Sequence, residues 1–114
     1  MRIVFRVDAS IEIGTGHVMR CLTLAEELRS RGCNVHFVCR AHAGHMADVI
    51  SSQGFQVSLL PKPEQDDEAK TQKEGYAAWL GVPQEEDAWQ TIDALNSKSV
   101  DWLIVDHYAL DDRW

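Results

Sequence analysis

The stretch FRVDASIEIGTGHVMRCLTLAEELRSRG, residues 5–32, decides the fold. An apolar run ends in the carboxylate of Asp8, a loop holding Gly14 and Gly16 follows, and His17 then stands in the first turn of an amphipathic segment. Residues 3–7 are β-branched or aromatic apart from Arg6, as a buried strand requires. Over 17–31, Val18, Cys21, Leu22, Ala25 and Leu28 recur on one helical face while Arg20, Glu26, Glu27 and Arg31 lie elsewhere, and Gly32 is a natural stop.

The alternation continues downstream. NVHFVCR (34–40) reads as a second strand, GHMADVISSQG (44–54) as a short helix closed by Gly54, and FQVSLL (55–60) as a third strand. Strands alternating with helices imply an α/β fold: a parallel sheet with right-handed crossovers, flanked by helices. PKPEQDDEAKTQKEG (61–75) breaks the rhythm with two prolines and a run of charge, and reads as a solvated loop. YAAWLGV (76–82) follows as an apolar patch in which Trp79, with Tyr76 and Leu80, packs under the acidic loop or forms a lip over a crevice, packing being the default. Pro83 starts a helix whose first turn holds Glu85, Glu86 and Asp87, where the macrodipole favours acids, with Ala88, Ile92 and Leu95 as the expected inner stripe. VDWLIVD (100–106) is the fourth strand. The segment LDDRW stops where Asp111 or Asp112 could cap another helix, so the expectation is a single domain over 1–114, cut from something larger.

Composition narrows the partners. A chain of 114 residues with 45% hydrophobic content can bury one core but not two. A formal charge of −7 opposes nucleic acid and anionic membrane surfaces. Within residues 1–40, however, six arginines face four acids, which suits a small anionic ligand. Three cysteines, Cys21, Cys33 and Cys39, lack C-x-x-C spacing and read as reduced thiols. The N-terminal apolar run is too short for a signal peptide and no stretch has the length of a membrane span, so a cytoplasmic protein is expected.

Gly14-Thr15-Gly16, between a strand and a helix, turns the chain tightly and points the free N–H groups of the first helical turn at the crevice. The dinucleotide fingerprint is incomplete, because Met19 occupies the third glycine position and the second strand ends in Arg40 rather than an acid; Arg40 leaves only an NADP-like variant. His17 carries more information. The positive end of the helix dipole disfavours a cation there, which favours a neutral imidazole able to accept a proton; the alternative is a histidine that only caps the helix or packs against the sheet. In a parallel sheet ligands bind outside the carboxyl ends of the strands, where Arg6, Asp8, Arg40 and the run Asp106-His107-Tyr108 converge. Asp8 and Asp106 either hold loops or touch ligand. His42 and His45 read as surface histidines without a third metal ligand, and Cys21 as core rather than a thiolate partner of His17.

Three segments carry a family resemblance: residues 5–32, WLGVPQEEDAWQTI (79–92) and DWLIVDHYALDDRW (101–114). Together they resemble the N-terminal half of the UDP-2,4-diacetamido-2,4,6-trideoxy-β-L-altropyranose hydrolases of bacterial pseudaminic acid biosynthesis, relatives of two-domain GT-B glycosyltransferases. The likeness spans nearly the whole chain and is weakest over 61–75. It implies a Rossmann-like domain like the N-terminal domain of a GT-B fold, and a hydrolase that cleaves the anomeric C–O bond of a UDP-linked diacetamido sugar with inversion. His17 carries over as the general base. Neutral water attacking an anomeric carbon needs such an acceptor, whereas the diphosphate leaves well and needs only charge stabilisation, for which the Gly14, Thr15 and Gly16 amides are placed. Neither metal nor cofactor is called for. The family's uridine pocket belongs to a C-terminal domain missing here, so these residues alone are expected to hydrolyse nothing and to bind UDP weakly at best. The competing readings are the acceptor-side domain of a UDP-sugar glycosyltransferase, with His17 deprotonating a hydroxyl, and a sugar-binding module without catalysis.

Overall fold

A computed structural model describes residues 1–11, 13–62, 79–96 and 98–114. In chain order the elements are β1 (Arg2–Val7), α1 (Gly16–Ser30), β2 (Asn34–Arg40), α2 (Ala47–Ser52), β3 (Gln56–Leu60), α3 (Gln84–Ala94) and β4 (Trp102–Asp106). The four strands form one parallel sheet in the order β3-β2-β1-β4, a Rossmann-like α/β arrangement. The expected solvated loop falls mostly on residues outside those described, as does Tyr76.

Central β1 is hydrogen-bonded on both sides, to β2 and to β4, and from Ile3 onward it is buried on both faces. Its side chains therefore alternate between two cores. Ile3, Phe5 and Val7 pack with Val35, Phe37 and Cys39 of β2 against Val18, Cys21, Leu22 and Ala25 of α1 and Ile50 of α2. Phe5 and Phe37 are register partners, and their rings stack at 5.0 Å. Each buried ring removes apolar surface worth about 1.5–3 kcal/mol from water, so this pair anchors α1 to the sheet. The stripe expected on α1 is the one observed. A hydrogen-bonded cap follows it: Gly32 N–H donates to Arg29 O at 3.0 Å, and Cys33 N–H to Leu28 O at 3.1 Å. Gly32 lies at φ +87°, a conformation that any side chain would strain.

The opposite face corrects one expectation. Val4, Val38 and Leu60 pack there against Ala94, Leu95 and Val100, but α3 does not bury Ala88 and Ile92 as its stripe. Asp87 and Thr91 point inward at 0% and 2% exposure, while Trp89 and Ile92 face out at 72% and 61%. The cause is electrostatic. Arg6 and Arg40 project from β1 and β2 onto this face, and burying two guanidinium groups is costly unless a carboxylate meets them. Asp87 supplies it, which turns the helix by about one residue from its apolar optimum. The fourth strand begins at Trp102 and forms the open edge, with Trp102, Leu103 and Val105 exposed. Among the described residues no helix is long and apolar enough to cross a membrane.

Candidate active site

The strand order reverses between β1 and β4, because β2 and β3 extend to one side of β1 and β4 lies on the other. In such sheets the crevice opens outside the carboxyl ends of the strands at this switch point. A shallow cleft with about 140 Å³ of open space lies there, lined by Asp8 after β1, Ile13 and His17 at the entry to α1, Asp106, His107 and Tyr108 at the end of β4, and Trp79. Five of the residues expected at the site, Asp8, His17, Asp106, His107 and Tyr108, are thus brought together.

His17 occupies the second position of α1. Its Nδ1 lies 2.8 Å from Oδ1 of Asp106, and its side chain keeps 12% exposure. Arg20 binds both oxygens of the same carboxylate: Nε donates to Oδ2 at 2.5 Å and Nη2 to Oδ1. Nη2 of Arg20 is also 3.2 Å from His17 Nδ1. A carboxylate and a guanidinium cannot both be satisfied by one ring nitrogen. The shorter contact, to an acceptor-only carboxylate, makes Nδ1 a donor and leaves the lone pair on Nε2. Among the described residues no hydrogen bond reaches that Nε2, and the edge of Tyr108 meets the ring at 4.8 Å between centroids, with an 83° interplanar angle. The hydrogen bond from Arg20, with that from His17, holds the Asp106 carboxyl at about 2 against the opposing effect of burial. Burial, reinforced by Asp106, pushes the Cys21 thiol up to about 12, so Cys21 serves as core and weak donor to Asp106 Oδ2 (3.6 Å).

His107 has no free nitrogen. Its Nε2–H donates to Asp8 Oδ2 at 2.9 Å, and its Nδ1 accepts from the Ala109 N–H at 3.0 Å. Asp8 Oδ1 in turn accepts from the Arg40 backbone N–H at 2.7 Å, joining the ends of β1, β2 and β4. Burial pushes the Asp8 carboxyl up, but the Arg6 guanidinium and the hydrogen bond from His107 hold it well below the usual carboxylate range.

Arg6 and Arg40 were expected to face a ligand and instead have no exposed surface. Arg6 bonds Asp8 (2.7 and 3.1 Å) and Asp87 (2.6 and 3.0 Å). Arg40 bonds Asp87 Oδ1 at 2.6 Å and the Pro61 carbonyl at 2.8 Å, which leaves no guanidinium face for a 2′-phosphate. The indole N–H of Trp114 completes the set on Asp87 Oδ2 at 2.8 Å. Two arginines and two aspartates thus form a buried network whose charges balance, and Asp8 is the member of it that lines the cleft.

Gly14, Thr15 and Gly16 build the entry to α1 beside the cleft. Gly14 sits at φ +80° and donates to Ser10 O at 2.8 Å, closing a compact turn. The Thr15 side chain makes no capping bond and the first turn of α1 holds no acid, so its amides are left to an outside acceptor. A contact with the next loop fixes this turn: Ile11 N–H donates to Ala43 O at 3.0 Å, and a Cβ on Gly44 would come within 2.9 Å of Ile11 N.

Sequence reasoning missed three participants. Arg20 lies off the apolar face of α1 and draws no role from the hydrophobic pattern, yet its spacing of three from His17 puts it on the same side of the helix as that residue. Trp79, assigned by default to packing, stands in the cleft wall 6.3 Å from the Tyr108 ring. His42, expected at the surface, is only 11% exposed, with Nε2 3.4 Å from Asp8 Oδ2 but without hydrogen-bond geometry. His45 is likewise half-buried and accepts from the Ala47 N–H at 3.3 Å. Among the described residues no three His, Cys, Asp or Glu side chains are grouped to hold a metal ion. No family model and no curated protein matches the chain.

Proposed function

We propose that this chain is the base-bearing part of a hydrolase acting on a UDP-linked 2,4-diacetamido-2,4,6-trideoxy sugar, of the class its sequence resembles. The observation that carries the reading is His17: Nδ1 lies 2.8 Å from the Asp106 carboxylate, and in this cleft-lining residue no hydrogen bond reaches Nε2 among the described residues. Water bound at Nε2 attacks the anomeric carbon; its proton passes to Nε2, and the electron pair of the anomeric C–O bond leaves with the diphosphate. Asp106 stabilises the imidazolium that forms, and general-base assistance of this kind is typically worth ~10²–10⁴-fold. The uncapped amides of α1 are donors available to the charge that grows on a leaving group. The resemblance to a two-domain enzyme implies that the nucleotide portion binds outside this cleft. Free thiols at Cys21, Cys33 and Cys39 suit a cytoplasmic setting.

The test is product analysis of the full-length protein with the UDP-sugar and no acceptor alcohol. Free sugar of inverted anomeric configuration, appearing in step with UDP, supports hydrolysis. Turnover only when an acceptor alcohol is added converts the reading to a transferase, and binding without turnover in either case reduces it to a sugar-binding module.

A further inference from the structure

Water attack assigns a task to His17 and to Asp106 but none to Arg20. Arg20 is 59% exposed in its side chain, so it reaches the site from the surface of α1. It spans the Asp106 carboxylate with Nε on one oxygen and Nη2 on the other. The oxygen taken by Nη2 is also the one that faces His17 Nδ1 at 2.8 Å.

We propose that Arg20 is a positioning residue for the His17 base: it fixes the Asp106 carboxylate so that one oxygen receives Nδ1–H, and its charge opposes protonation of the ring. The proposal rests on reading His17 as the base. A bare carboxylate beside an imidazole favours the imidazolium, which has no lone pair left to accept a proton from water. A guanidinium on that carboxylate cancels most of the attraction, and its Nη2, 3.2 Å from Nδ1, becomes a like-charge contact once the ring is protonated. The amides at the start of α1 act in the same direction. The other polar groups facing the ring do not replace this control. Asp8 is neutralised by Arg6, His107 has both nitrogens engaged, Tyr108 meets the His17 ring in a T-shaped contact while its phenol acts on Arg20 itself, and the Cys21 thiol is held protonated by burial. Asp106, at about 2, stays charged across the range in which a histidine titrates.

The experiment is ring NMR of His17 across pH in the 114-residue chain, which reads protonation and tautomer without any turnover. In Arg20→Gln the midpoint rises above that of the parent. Arg20→Lys keeps the charge and stays nearer the parent. Asp106→Asn lowers the midpoint and loses the Nδ1–H preference. An unchanged midpoint in Arg20→Gln, or a Lys variant that shifts as far as the Gln variant, overturns the proposal. Because these readouts need no substrate, they stand apart from the hydrolase reading, which fails separately if His17→Ala keeps its turnover.

Discussion

Nδ1 of His17 lies 2.8 Å from Oδ1 of Asp106, across 89 positions of sequence. The contact joins the first turn of α1 to the last residue of β4, and it exists because β1 and β4 are neighbours in the sheet. It selects which ring nitrogen keeps its lone pair, so the chemistry of the cleft depends on strand order.

Asp106→Asn tests the orienting role. The amide can still meet Nδ1, either as an acceptor or, after a flip, as a donor that forces the other tautomer, and it no longer stabilises the imidazolium. Turnover in the full-length protein is expected to fall by about 10²-fold or more, within the range that base catalysis supplies, with KM little changed. A loss confined to KM would place Asp106 on the substrate instead.

The buried network makes a stability prediction. Asp87→Asn leaves the Arg40 guanidinium with no carboxylate partner and Arg6 with Asp8 alone. Breaking a buried ion pair from one side typically costs about 3–5 kcal/mol. Urea unfolding should therefore show a loss of that size, far above what Trp89→Ala costs on the exposed face of the same helix.

Acid should unfold the protein in two stages. His36 is 2% exposed and bonded to Ser58 Oγ at 2.8 Å and to Arg2 Nη2 at 3.0 Å; burial, then Arg2 and Lys98, push its pKa below 6.5. Above about pH 6.5 the ring is neutral in folded and unfolded chains alike, whereas below it the unfolded chain takes up a proton that the folded one resists, so stability falls as pH falls. A second loss follows below about pH 4, as the lowered carboxyls of Asp8, Asp87 and Asp106 become protonated first in the unfolded chain. Denaturant midpoints across this range check both, and His36→Gln should flatten only the first.

Gly32→Ala should cost about 1 kcal/mol. An added Cβ meets nothing within 4 Å there, so the whole effect comes from the φ of +87°. Thermal melts of this variant against Gly16→Ala, where φ is helical and the space is also open, isolate that strain.

The sheet and α1 were legible because their periodicities are strong. Ile3, Phe5 and Val7 alternate with Val4 and Arg6, and Val18, Cys21, Leu22 and Ala25 repeat with the helical turn. The inner face of α3 was not legible, because an aspartate holds its central buried position and a hydrophobic pattern cannot register a charge that is buried only because two arginines await it. Asp8, Asp106, His107 and Tyr108 were placed at the cleft from strand ends, and His17 from the helix start after the glycine turn. Their roles depended on who pairs with whom: Asp106 orients His17, Asp8 and His107 satisfy one another, and Arg6 and Arg40 are buried on Asp87. Such pairings follow from strand order and helix rotation, which local sequence does not encode.

The most direct measurement of the central claim compares turnover and substrate affinity of His17→Ala with the parent, in the full-length protein, by UDP release and by equilibrium titration. An open Nε2 acting as the base predicts UDP release reduced by about 10²-fold or more with affinity retained. Undiminished release of UDP by the alanine variant would contradict it.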